Sequence, residues 1–149
     1  MTVASRVADC RPSVSETQGE QMADGKAEVE IARSPDDVWA LIGDFGGLGD
    51  WMPGIDACEV DGDVRKIKTM GMEIHERLVS HDDHDRTISY SIVEAPMPIE
   101  HHLATISVAP SGDGSVLTWA YEVRPDDMAA ALGPVYEGSA KAVKAQLEG

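Results

Sequence analysis

The sequence predicts an α+β domain in which a curved antiparallel sheet of six to seven strands wraps a long C-terminal helix, with two short helices after the first strand. Three observations carry this reading. A short alternating strand runs directly into a capped helix between residues 27 and 45. Six further alternating runs follow, separated mostly by short turns, and an apolar-striped segment closes the chain. Antiparallel sheets with one face in water alternate in this way along each strand.

The first strand is expected over 27–33. Ser34 offers a hydroxyl cap, Pro35 suits the first helical position because its missing N–H would be unpaired there, and Asp36 and Asp37 favour the positive helix end. Val38, Leu41, Ile42 and Phe45 recur at helical spacing beside Trp39, and Gly46-Gly47 is expected to stop the helix. A second helical turn should carry Trp51. Strands are then expected over 55–61, 64–70, 73–81, 86–94, 101–109 and 115–123. Gly62-Asp63, Gly71-Met72, Asp82-Asp83-His84-Asp85 and Ser111-Gly112-Asp113-Gly114 carry turn chemistry, so neighbouring strands should pair as hairpins in a meander. The proline-rich stretch Ala95-Pro96-Met97-Pro98-Ile99 reads as an ordered loop. A last helix starts at Pro125-Asp126-Asp127. Because Pro134 removes an intrahelical bond, a kink or break is expected near Gly133, then a clean helix over 135–147. Tyr136, Ala140, Val143 and Leu147 form its apolar face, with small Gly138, Ser139 and Ala142 nearby.

At 149 residues the length suits one domain, and 42% hydrophobic residues allow a real core. The segment 1–26 is rich in Ser, Gln, Glu, Asp and Gly without a sustained period, so it is expected to be a disordered tail preceding a domain over 27–149. Met22, just before the first strand, is an alternative to Met1 as the start of translation. With 27 acidic and 12 basic side chains the net charge is −15, which repels nucleic acid and anionic membrane surfaces. No apolar run approaches a membrane span, and the first residues lack the centre of a secretory signal. Cys10 and Cys58 are expected to be reduced thiols, and the protein is expected in the cytoplasm, without membrane insertion, as a monomer or homodimer.

Several pieces in order resemble the Bet v 1-like helix-grip superfamily, specifically the polyketide cyclase/dehydrase and lipid transport branch, also called SRPBCC or START-like. They are Val29-Glu30-Ile31 with Ser34-Pro35-Asp36-Asp37-Val38-Trp39, Gly43-Asp44-Phe45 with Trp51-Met52-Pro53, Glu76-Arg77-Leu78, Arg86-Thr87-Ile88-Ser89-Tyr90, Thr118-Trp119, and Val135-Tyr136-Glu137-Gly138. The resemblance implies a deep, mostly apolar cavity between sheet and C-terminal helix, and a small hydrophobic ligand such as a lipid, polyketide or isoprenoid. It does not imply one reaction. Two features depart from it: the hairpin Asp61-Gly62-Asp63-Val64 is brief, and His102 stands where an aromatic is usual.

Strand parity then selects the polar groups that point inward. If Ile88, Tyr90 and Ile92 face the cavity with Ala104, Ile106 and Val108, His102 shares their side and His101 does not. An imidazole moves protons near pH 7, so His102 is the candidate general acid/base, with ligand positioning as its quieter alternative. Glu76 shares the inward side of Ile74 and Leu78, where a carboxylate must be paired. It is a candidate base or anchor for a ligand hydroxyl, or a structural partner of Tyr90, Trp119 or the backbone. Tyr90, Trp119, Tyr121 and Tyr136 are candidates for the cavity lining, and Phe45, Trp51 and Met52 for its entrance. Met70, Met72 and Met97 join Met52 as adaptable surface near the mouth. No metal site and no cofactor is expected: His81-Asp82-Asp83-His84-Asp85 lies on a hairpin turn without metal spacing, and Gly46-Gly47-Leu48-Gly49 lacks a phosphate-loop lysine. Binding of a small hydrophobic molecule is thus the leading expectation. A cyclase or dehydratase using the same cavity, and a protein-interaction module, stand beside it.

Overall fold

The structure, a computed structural model, describes residues 22–149. Strand β1 (Ala23–Ile31) begins four residues before the alternation that starts at Ala27. Its extra residues pair through the backbone, Ala23 opposite Val123 and Lys26 opposite Ala120, and a ladder formed by main-chain groups leaves little trace in side-chain hydropathy. The remainder of the expected tail, 1–21, lies outside the described residues.

Helix α1 (Pro35–Ile42) starts as expected, with the Ser34 hydroxyl accepting the Asp37 N–H at 3.1 Å. A Ser34→Ala substitution is expected to cost about 1 kcal/mol of unfolding free energy in a urea titration. The helix ends earlier than the glycine pair suggested. Gly43 closes it, its N–H bonded to the Trp39 carbonyl, and extended Asp44 turns the chain into a 3₁₀ turn at Phe45–Gly47 and a short α2 (Leu48–Trp51).

Six strands follow in meander order: β2 (Ile55–Asp61), β3 (Val64–Thr69), β4 (Met72–Asp82), β5 (Thr87–Glu94), β6 (His101–Ser111) and β7 (Gly114–Arg124). With β1 on the outer side of β7, they form one seven-stranded antiparallel sheet in the order β1-β7-β6-β5-β4-β3-β2. The α1–α2 segment therefore carries the chain from one sheet edge to the other. At the β3–β4 hairpin Met70 and Gly71 both take positive φ, the backbone that a two-residue turn between twisted strands requires.

Helix α3 (Ala129–Glu148) runs unbroken through Pro134, led in by a 3₁₀ turn at Asp126–Met128. The break expected at Gly133 does not occur. Ala130 and Pro134 are both exposed, so water can take the carbonyl that proline leaves without a donor, while Leu132 and Tyr136 on either side are buried. The core lies between α3, α1 and the concave face of β1 and β5–β7. It joins Leu132, Tyr136, Ala140 and Val143 to Ile88, Tyr90, Ala104, Ile106, Leu117 and Trp119. Helix α3 packs on β1 and β7, and the curved sheet leaves room beside it over β3–β5.

Candidate functional site

That room is a cavity of about 500 Å³, a size suited to a small organic molecule. Its sheet wall carries Arg65 and Ile67 from β3, Ile74 and Glu76 from β4, Tyr90 and Ile92 from β5, and Trp119 from β7. The facing wall is a stripe of α3 in which the small residues Ala131, Gly138, Ser139 and Ala142 alternate with Leu132, Pro134, Val135 and Tyr136. A side chain built on Gly138 would meet open space. The small residues thus leave volume where larger ones would fill it. Met52, Met70, Met72 and Met97 also line the cavity, and Met70 is 76% exposed at its hairpin turn.

One ion pair is set into this mostly apolar surface. Arg65 is 6% exposed and Glu76 8%, on neighbouring strands and directly opposite each other in the β3–β4 register. The Arg65 Nε and Nη2 both donate to Glu76 Oε1, at 2.8 and 2.7 Å, and Nη1 donates to the Phe45 carbonyl at 2.9 Å. The guanidinium lies 4.3 Å from the centre of the Phe45 ring and 4.9 Å from that of Tyr90. Aromatic faces attract such a cation, and buried charge of this kind is tolerated only when so paired.

A chain of neutral groups starts in this wall and ends behind it. The Trp119 indole donates to the Tyr90 hydroxyl at 3.1 Å, and the Tyr136 hydroxyl interacts with that of Tyr90. His102 Nε2 lies 2.6 Å from the Tyr136 oxygen, while Nδ1 accepts the Ile92 N–H at 3.0 Å. Because Nδ1 is an acceptor, neutral His102 carries its proton on Nε2 and donates it to Tyr136. Burial pushes the Tyr90 and Tyr136 hydroxyls up from the usual phenol range and, with His101 nearby, lowers the His102 pKa to about 4. All three are therefore uncharged at neutral pH.

This has a pH consequence. The unfolded chain takes a proton on His102 near 6.5, the folded chain only near 4, so the stability due to the neutral imidazole is complete above about pH 6.5. It is expected to fall by about 3 kcal/mol as pH drops to about 4, and His102→Gln is expected to flatten that slope in urea titrations. Equal slopes in the two proteins would refute the assignment.

The inward parity of His102 and Glu76 is as the alternation indicates, but the two groups sit differently. Glu76 lines the cavity; His102, 1% exposed, stands behind Tyr136 and is not part of the wall. The partner of Glu76 is Arg65 rather than Tyr90, Trp119 or the backbone. Tyr90, Trp119, Tyr136 and Met52 line the cavity. Phe45 supports Arg65 from behind, Trp51 packs against the core, and Tyr121 lies tilted beside Tyr136 with ring centres 5.0 Å apart, none of them in the wall. Arg65 is the functional candidate that strand reading passed over. The turn falls at Met70-Gly71, one residue earlier than the expected Gly71-Met72, and it is this shift that sets residue 65 opposite residue 76 where the expected turn would have set it opposite residue 78.

A long helix gripped by a curved antiparallel sheet, with a mostly apolar cavity between them, defines a protein of the Bet v 1-like, helix-grip class. Within that class the chain belongs to the polyketide cyclase / dehydrase and lipid transport family, whose model matches residues 22–148. Among solved structures it is similar to the protein XoxI from Bacillus cereus, with 32% identity and a TM-score of 0.78 over 85% of this chain and 96% of that one. An uncharacterised protein from Bacillus thuringiensis is 30% identical, with a TM-score of 0.79 over 85% of this chain and 100% of that one. Norcoclaurine synthase from Thalictrum flavum shares the fold alone, at 20% identity and a TM-score of 0.70 over 87% and 95% of the two chains. Comparison with the curated proteins gives no match. Among the described residues, no helix is long and apolar enough to cross a membrane.

Proposed function

We propose that the protein binds a small hydrophobic molecule, of lipid, polyketide or isoprenoid type, in the cavity between α3 and the sheet. The observation that carries this reading is the cavity itself: about 500 Å³, lined mainly by aliphatic, aromatic and methionine side chains, beside a well-packed core. Protein interiors do not leave such volume by default, because close packing is worth a great deal of dispersion energy. The net charge of −15 favours a neutral ligand over an anionic one. Native mass spectrometry of protein purified from its own host is expected to show one retained small molecule. A neutral apolar probe, N-phenyl-1-naphthylamine, is expected to bind with enhanced fluorescence. Absence of both a retained ligand and probe binding would overturn the reading.

A cyclase or dehydratase in the same cavity is the second reading, and it falls on Glu76. That carboxylate faces the cavity, whereas the His102 imidazole is screened by Tyr136 and is a weak base with both ring nitrogens occupied. Unchanged turnover of a candidate substrate by Glu76→Gln would remove this role.

A further inference from the structure

The pair of Arg65 and Glu76 has unspent hydrogen-bonding capacity, and its chemistry narrows what the cavity accepts. Both guanidinium nitrogens that reach Glu76 converge on Oε1, so Oε2 has no hydrogen-bond partner among the described residues. Three of the five Arg65 N–H groups are used, two on Glu76 and one on the Phe45 carbonyl, which leaves two. Glu76 is 8% exposed and lines the cavity, and its unpartnered oxygen is not among the fully enclosed atoms, so it has access to open space there. We propose that this pair is the polar anchor of the ligand site and selects an uncharged hydroxyl group, an alcohol or phenol, on an otherwise hydrophobic molecule. The proposal rests on the cavity-binding reading above.

The charges of the pair exclude the other polar groups one by one. An ionised carboxylate accepts hydrogen bonds and cannot give one, so the ligand must present a donor to Oε2. A ligand carboxylate would set a second anion beside Glu76 in a mostly apolar cavity. A ligand ammonium would satisfy Oε2 but set a second cation beside the Arg65 guanidinium. Each like-charge contact is costly where water does not screen it. An ether or ester has acceptors only and leaves Oε2 bare. A hydroxyl gives its proton to the carboxylate and can accept from a guanidinium N–H through one atom. It adds no charge to a pair that is already balanced.

The test uses rigid probes that differ only in the polar group: 2-naphthol, 2-methoxynaphthalene, 2-naphthoate and 2-naphthylmethylammonium, with affinities from calorimetry or displacement of N-phenyl-1-naphthylamine. 2-Naphthol is expected to bind about tenfold more tightly than its methyl ether, and more tightly than either ion. In the double variant Arg65→Met/Glu76→Leu, the ratio of naphthol to methyl ether affinity is expected to fall to about one while the ether still binds. Failure of every probe, including N-phenyl-1-naphthylamine, overturns the cavity-binding reading itself. Probe binding with the ether equal to the naphthol, with either ion preferred, or with the ratio unchanged in the double variant overturns the hydroxyl anchor and leaves the cavity reading standing.

Discussion

Replacing Arg65 with methionine is expected to lower the unfolding free energy by about 3–5 kcal/mol, the largest stability loss of any single change at the site. The loss does not measure the strength of the attraction between Arg65 and Glu76. Two charges removed from water and placed 2.7 Å apart in a mostly apolar wall gain from each other roughly what they lose in hydration, so the intact pair is close to neutral for stability. What the substitution leaves behind is decisive: a Glu76 carboxylate, 8% exposed, with its cation gone, and a Phe45 carbonyl with its Nη1–H partner gone. The second substitution, Glu76→Leu, removes the stranded charge and is expected to return most of the lost stability, as urea titrations of the single and double variants would show. A loss below about 1 kcal/mol in Arg65→Met, or a double variant no more stable than the single one, would mean that Glu76 does not depend on Arg65.

This pair also marks the boundary of what the amino-acid sequence discloses. Period-two alternation reports which side of a strand is wet, and it placed Ile88, Tyr90 and Ile92, and His102 with Ala104 and Ile106, on one buried face, as the structure has them. Local chemistry at Ser34-Pro35 located a helix start, and turn residues located the hairpins, the β3–β4 turn one residue late, because both are decided within a few residues. Alternation does not say what stands behind an inward residue. His102 and Glu76 have the same parity, yet one is sealed off by Tyr136, which arrives from 34 residues away, and the other opens onto the cavity. The four additional residues of β1 and the passage of α3 through Pro134 were hidden for a related reason. Each depends on a partner element, β7 in one case and the packed face of Leu132 and Tyr136 in the other, that outweighs a weak or contrary local preference.

Gly138→Trp is expected to separate the cavity from the fold. Glycine within a helix costs up to about 1 kcal/mol relative to alanine, so most replacements on α3 that meet no obstacle should hold or raise stability. Gly138 lines the cavity at an exposed position of α3 and has no neighbour within 4 Å of where a Cβ would lie. An indole placed there takes up volume that the ligand would otherwise fill. Displacing about 100 Å² of apolar contact is worth about 2.5 kcal/mol, so probe affinity should fall by nearly a hundredfold. The melting temperature should be unchanged or higher. If Gly138 faced only solvent, the same substitution would also spare stability and would leave probe binding unchanged. Probe affinity therefore decides whether Gly138 is spacing for a bound molecule, and the melting temperature shows that the fold is kept. A variant that is destabilised and still binds N-phenyl-1-naphthylamine as the wild type does would place the ligand elsewhere on the protein.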